Sequence, residues 1–86
     1  MRLQLEILGM DQSAVNSVTR ALLAQIHSEL REAVSIAKAA EICADSGNIQ
    51  GAVKMAMDIE DPVYRSDRML KTILLIRNEL LGKAPD

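Results

Sequence analysis

Few residues in this 86-residue chain are of the types that carry enzyme chemistry. His27 is the only histidine and could serve as a general base, but no Ser or Cys stands at a spacing that predicts a nucleophile beside it. Cys43 is the only cysteine, so one chain offers neither a disulfide pair nor the ligand set of a zinc site. We interpret His27 as an exposed helix-end residue and Cys43 as a buried packing thiol. The sequence therefore predicts a protein that is not an enzyme, with no cofactor and no metal.

The carboxylates of Asp58, Glu60 and Asp61 form the densest acidic cluster, which could suggest a cation site. The spacing of a twelve-residue calcium loop does not follow them. We interpret the cluster as a solvated corner between two helices, in which Asp61 caps the second helix.

Composition limits the possible partners. Trp and Phe are absent and Tyr64 is the only aromatic residue, so the core must be built from aliphatic side chains and Met. A net charge of −2 gives no electrostatic reason to bind nucleic acid or an anionic membrane. No apolar run approaches the ~20 residues of a membrane span, and the single cysteine fits a reducing compartment. We expect one cytoplasmic domain, residues 1–86, without a small-molecule substrate.

Helical spacing of apolar residues predicts four helices. Residues 1–8 alternate like a strand, but no other strand is available to pair with them. Residues 1–10 are expected to form a short helical turn or a tail that orders on a partner. An alternative joins the first two helices, because His27-Ser28 contains no Gly or Pro. The predicted elements are helices at 11–27, 29–46, 49–60 and 62–81, followed by a tail at 82–86.

The corners carry the clearest local signals. Gly47 suits the left-handed position that ends a helix, and Asn48 can cap the next helix. Gly51 lowers helix propensity, and we expect it to permit close contact with the preceding helix. Asp61 and Pro62 predict a helix start, with Asp61 as the cap and Pro62 at the first helical position.

Residues 47–65, GNIQGAVKMAMDIEDPVYR, resemble a degenerate tetratricopeptide-like repeat, with Asn48 in place of the usual Asp. A shift of 34 residues, the period of such repeats, aligns Arg31 with Arg65 and Ile36 with Leu70. The resemblance spans roughly residues 29–81. It implies antiparallel helical hairpins, an all-α solenoid fragment of about four helices that binds proteins, with motif residues that are structural. The residues that match the repeat are Gly47, Ala52, Ala56, Ile59, Asp61, Pro62 and Arg65.

The last predicted helix carries more apolar surface than so short a chain can enclose. We therefore expect a small protein-binding module, an adaptor or chaperone-like subunit that holds a partner protein or a second copy of itself, with a dimer as the first expectation. Arg77 lies among the apolar residues of this last helix. Its side chain is expected either to extend its charge to water or to pair with a carboxylate across an interface. The predicted partner-binding residues are Met69, Leu70, Ile73, Leu75, Ile76, Arg77 and Leu80.

An alternative function is regulation of nucleic-acid transactions through a helical hairpin. Arg65, Arg68, Lys71 and Arg77 stand on one predicted helix. Their spacing directs them to different sides of that helix, so the sequence favours protein binding.

Overall fold

A computed structural model describes residues 12–80, and that part of the chain contains helices and no strand. The all-α class is therefore confirmed. The predicted element at 1–10, the tail at 82–86 and the end of the last helix at Leu81 lie outside the described residues. None of the helices between residues 12 and 80 has the length and apolarity needed to cross a membrane. The helices are α1 at Gln12–Asp45, α2 at Ile49–Met57 and α3 at Glu60–Leu80.

The helices form a layer two helices wide. α1 is 34 residues long, which corresponds to about 51 Å at 1.5 Å per residue. The molecule measures 54 × 25 × 21 Å, so α1 spans nearly its full length. α2 and α3 both pack on α1. They run back along it as one returning arm in two pieces, which we call the second arm. The end where α1 meets α2 is the closed end, and the other is the open end.

The predicted helix break at His27-Ser28 is wrong, because both residues lie inside α1. The competing interpretation, one continuous helix, describes the structure. Ser28 can cap a helix, but a cap is needed only where the backbone leaves helical geometry. Residues on both sides of it keep an unbroken packing pattern against the second arm, so continuing the helix preserves both its hydrogen bonds and its contacts.

Enclosed side chains follow a regular spacing along both arms, which we call the seam. Successive seam positions alternate between steps of four and three residues, apart from one step of seven between Ala52 and Ile59, which is the pattern of paired helices that pack knobs into holes. Ile76 is only 3% exposed and packs with Val15, Leu22 and Leu75 near the open end. The pairing of Val15 with Ile76 shows that α1 and α3 are antiparallel. The α1 seam positions are Val15, Thr19, Leu22, Ile26, Glu29, Ala33, Ile36, Ala40 and Cys43, and those of the second arm are Ala52, Ile59, Pro62, Ser66, Met69, Ile73 and Ile76.

The corner at Gly47 confirms the local prediction. Gly47 has a φ of +96°, a backbone conformation that residues other than Gly rarely adopt. Its N–H donates to Ala44 O at 2.9 Å, and the Asn48 N–H donates to Cys43 O at 3.1 Å. This pair of bonds is the Schellman ending of a helix. Asn48 then caps α2, because its Oδ1 accepts from the Gly51 N–H at 2.9 Å.

Gly51 is required for a reason other than the predicted contact with the preceding helix. A Cβ atom on Gly51 would lie 2.5 Å from Asn48 Nδ2 and 2.8 Å from Asn48 Cγ. The space beside Gly51 is therefore taken by the side chain that caps α2. Glycine at position 51 leaves room for the Asn48 side chain in its capping position.

The second junction differs from the prediction by several residues. α2 ends at Met57 rather than at residue 60. The N–H groups of Asp58 and Ile59 donate three residues back, to Met55 O and Ala56 O, in a tight turn. α3 then starts at Glu60, which places Asp61 and Pro62 inside its first turn rather than at the cap and the first position. Pro62 is fully buried there, where a missing N–H leaves no helical bond unmade.

Replacing Gly51 by Ala is expected to leave the free energy of unfolding nearly unchanged. The usual gain of up to ~1 kcal/mol in helix propensity is offset by the loss of the Asn48 cap, worth about the same. In an Asn48→Ala background the same Gly51→Ala change should stabilise the protein, because no cap remains to be lost. Urea unfolding followed by circular dichroism measures both changes; equal effects in the two backgrounds would contradict the role given to Gly51.

Ser66 is a seam residue whose hydroxyl is buried without a hydrogen-bond partner. We expect Ser66→Ala to raise the free energy of unfolding by about 1–2 kcal/mol, because it removes an unpaired buried polar group. Ser35→Ala is the matched control, since Ser35 is exposed in the middle of α1 and reports the helix-propensity gain alone. If both variants gain equally in chemical denaturation, the buried hydroxyl carries no penalty.

Candidate partner-binding surface

The two broad faces of the layer differ in polarity. Each helical residue is rotated by about 100° from the one before it, so the residue after a seam position flanks the seam on a fixed side. Because the arms are antiparallel, that side is the same for both arms. The apolar residues on that side, together with neighbouring apolar positions, form what we call the apolar face. Its members on α1 are Leu23, Leu30, Val34, Ala37 and Ala44, and its members on the second arm are Ile49, Val53, Ala56, Val63, Leu70 and Leu74. Polar residues that follow seam positions on the same side are Asn16, Arg20, His27, Glu41, Glu60, Asp67 and Arg77.

Exposed apolar side chains are concentrated on that face. Thirteen large apolar residues in the described range are exposed, and eight of them belong to the apolar face, so they are grouped rather than scattered. Val34 is 57% exposed, Leu23 is 53% exposed and Leu70 is 48% exposed. Single exposed apolar residues are normal on protein surfaces, whereas a contiguous patch marks an interaction site.

The apolar face has two halves of different shape. Near the closed end, small side chains leave an apolar groove between α1 and α2. Toward the open end, α1 contributes Leu23 and Leu30, and α3 contributes Leu70 and Leu74. One half of the face is therefore a groove floored by alanine, and the other is a ridge of leucines. The groove residues on the face are Ala37, Ala44, Ile49, Val53 and Ala56, and the charged side chain of Glu41 also lines the groove.

On the opposite face, which we call the polar face, ion pairs connect the two arms. Arg65 Nη2 lies 2.9 Å from Glu29 Oε1 and 3.8 Å from Glu32 Oε1. The Glu29 oxygen is enclosed, so the Arg65 guanidinium beside it compensates for the water that this oxygen has lost. The contact with Glu29, opposed by partial desolvation, raises the pKa of Arg65. Nearby, the Arg68 guanidinium lies over the Tyr64 ring at 5.7 Å and donates to the Tyr64 hydroxyl at 3.3 Å.

The structure does not gather the predicted partner-binding residues onto one surface. Ile76 is buried in the seam, and Met69 and Ile73 are half-buried there. Leu75 is half-buried against the core at the open end. Of the predicted set, Leu70 alone lies among the large exposed residues of the apolar face.

Two predicted residues lie at the end of α3. Arg77 is exposed and its Nη2 donates to Asn78 Oδ1 at 3.3 Å, so its charge faces solvent within the single chain. Leu80 is the last residue of α3 and marks the end of the described chain.

The candidate chemical residues remain apart from one another. His27 is exposed in the middle of α1, which corrects its predicted place at a helix end. Cys43 is half-buried rather than fully buried, and its thiol donates to Asn48 O at 3.4 Å. Asp58, Glu60 and Asp61 are all exposed. Among residues 12–80, no three His, Cys, Asp or Glu side chains are grouped so that they could hold a metal ion.

The basic residues considered for nucleic-acid binding do not form a positive surface. Arg65 is paired with Glu29, and Lys71 Nζ lies 3.0 Å from Asp67 Oδ2. Arg68 is engaged with Tyr64. These contacts place acidic or aromatic groups beside the cations, which weakens the electrostatic attraction that nucleic-acid binding requires.

Comparison of the chain with family models, with curated proteins and with solved structures gives no match. The surface must therefore be interpreted from its own geometry.

The common face of Leu23, Leu30 and Val34 on α1 was missed by the sequence analysis. Leu23 was assigned to one predicted helix, and Leu30 and Val34 to the next, so their shared side was not visible. The available signal was the unbroken alternation of four- and three-residue steps from Val15 to Cys43. That pattern requires one continuous helix and fixes which residues flank its seam.

Glu29 is the one acidic residue in the seam. We expect Glu29→Leu to raise the free energy of unfolding by about 1 kcal/mol, because an apolar side chain there avoids the cost of dehydrating a carboxylate. Glu32→Leu removes the same charge from an exposed neighbour and should have little effect. Both are measured by urea unfolding; a destabilised Glu29→Leu protein would show that the ion pair outweighs apolar packing at this position.

Proposed function

We propose that this chain is a non-catalytic protein-binding module, an adaptor or chaperone-like subunit that docks through its apolar face. The observation that carries the proposal is the segregation of exposed apolar side chains onto one face of the layer. Each Å² of apolar surface covered by a partner contributes roughly 25 cal/mol, so a face of half-exposed Leu, Ile and Val side chains favours association.

The shape of the face suits a helical partner. Helices dock by laying apolar side chains, spaced three or four residues apart, into a groove between two other helices. The alanine-floored groove between α1 and α2 has this form, and the leucine ridge supplies the complementary one. Both features lie along the helix axes, so the partner surface would be helical as well.

The tetratricopeptide-like resemblance supports the same proposal. Its Gly corner and Pro junction coincide with the two helix boundaries near Gly47 and Pro62. Proteins of that repeat class bind other proteins through helical hairpins. We therefore propose a tetratricopeptide-like origin for residues 29–81.

Site-specific photocross-linking tests the proposal. A photoreactive amino acid at Leu30 or Leu70, on the apolar face, should give adducts with another polypeptide in the cells that express the protein. Ser28 is the control, because it is exposed on α1 two residues from Leu30 and points to the polar side. Mass spectrometry identifies the adducts, whether with a second copy or with a different protein. Absence of adducts from Leu30 and Leu70, or equal yields from Ser28, would contradict the assignment of the face.

A further inference from the structure

The two halves of the apolar face complement each other. Leu23 and Ala37 each lie seven residues from Leu30, and Ala56 and Leu70 each lie seven residues from Val63. The Glu29–Arg65 contact shows that these two midpoints, Leu30 and Val63, stand at similar levels along the molecule. A half-turn about an axis through both midpoints, across the long direction, therefore brings Leu23 to the level of Ala37 and Leu70 to the level of Ala56, while Leu30 meets Leu30 of the other copy.

We propose that the apolar face binds a second copy of this chain, packed face to face and end over end into a symmetric four-helix bundle. The proposal rests on the proposed function and names the occupant of the same surface. α1 of one copy lies over α1 of the other in the opposite direction, and the second arms are related in the same way. The leucine ridge of each copy enters the alanine groove of its partner. Such a pairing is isologous, because the same patch serves both copies.

The size of the layer permits a stable dimer. Its outline, 54 Å long and at least 21 Å wide, covers about 1,100 Å², and the apolar residues of α1 from Leu23 to Ala44 span about 32 Å of that length at 1.5 Å per residue. Specific interfaces typically bury about 800 Å² on each partner. The polar faces, with the Glu29–Arg65 pair, would remain outward and hydrated.

Shape selects the end-over-end arrangement over the other face-to-face twofold. Rotation about the long axis would set the leucine ridges against each other and leave the alanine grooves facing across a void. An unfilled gap loses the close contacts on which packing depends.

Charge does not decide the orientation. The end-over-end arrangement brings Arg20 near the level of Glu41 of the other copy, which is favourable. It also brings Glu60 near the level of Asp67 of the other copy, although Lys71 already neutralises Asp67. Glu41 lines the groove, and Arg20, Glu60 and Asp67 flank the seam on the same side, so the favourable pair and the unfavourable pair oppose each other.

Cysteine cross-linking in a Cys43→Ser background tests both the occupant and the orientation. Leu30→Cys places its thiol beside the proposed axis, so a short bismaleimide should join two copies. The control Ser28→Cys lies on the other side of α1. Cross-linking within a formed dimer occurs at high effective concentration. The rate of cross-linking between two copies should therefore be about tenfold higher or more for Leu30→Cys than for Ser28→Cys. Leu23→Cys should not join to itself but should join to Ala37→Cys when the two variants are mixed.

The outcomes separate this inference from the proposed function. A dimer in light scattering, with cross-links from Leu30→Cys and from the Leu23→Cys and Ala37→Cys mixture, supports the arrangement. A monomer at the cross-linking concentration overturns it, as does self-linkage of Leu23→Cys equal to that of Leu30→Cys. If the purified chain is monomeric while photocross-linking at Leu30 captures a different polypeptide, the second-copy inference fails and the protein-binding function stands. Circular dichroism of each variant confirms that the helices are retained.

Discussion

A layer two helices wide can enclose only the side chains that lie between its helices. The long α1 and the second arm meet along one seam, and the seam is the whole interior of the described chain. Several of its positions are small, as at Ala33, Ala40 and Ala52, which limits the apolar area removed from water. Apolar residues outside the seam have no interior position available to them. The exposed apolar face follows from this single constraint.

The broken second arm keeps its register in spite of the break. At Asp58 and Ile59 the backbone closes a tight turn with bonds three residues back, and helical geometry resumes at Glu60. The step allows Ile59 and Pro62 to remain at seam positions on either side of the junction. Proline is well suited there, because it fills a buried site without bringing an N–H that would need a partner. The second arm therefore changes direction without changing which side packs on α1.

Local chemistry predicted the corners better than it predicted the helix pairing. The roles of Gly47 and Asn48 were predicted correctly, because a left-handed helix end and an N-cap depend only on residues close to them in the sequence. Ser28 has the same local signal, yet it lies inside α1, because packing against the second arm favours a continuous helix there. A cap residue shows where a helix can begin, and only tertiary contacts decide whether it does. The exposure of the predicted partner-binding residues depends on the same contacts: Ile76 and Leu70 are both apolar residues of α3, but contact with α1 buries the first and leaves the second exposed.

Large apolar side chains are distributed unequally between the two broad faces of the layer. Packing along the seam constrains the flanking residues weakly, so either face could have carried them. Charged residues flank the seam on both sides, at Glu32 and Arg65 on the polar face and at Glu41, Glu60 and Asp67 on the other, whereas exposed Leu, Ile and Val side chains are concentrated on the apolar face. Keeping water-exposed positions apolar on one side alone has no benefit for an isolated layer, since exposed apolar surface promotes non-specific association. The asymmetry is accounted for if that side is covered when the protein functions, and the alternation of leucine ridge and alanine groove along it supplies the fit that makes such covering specific.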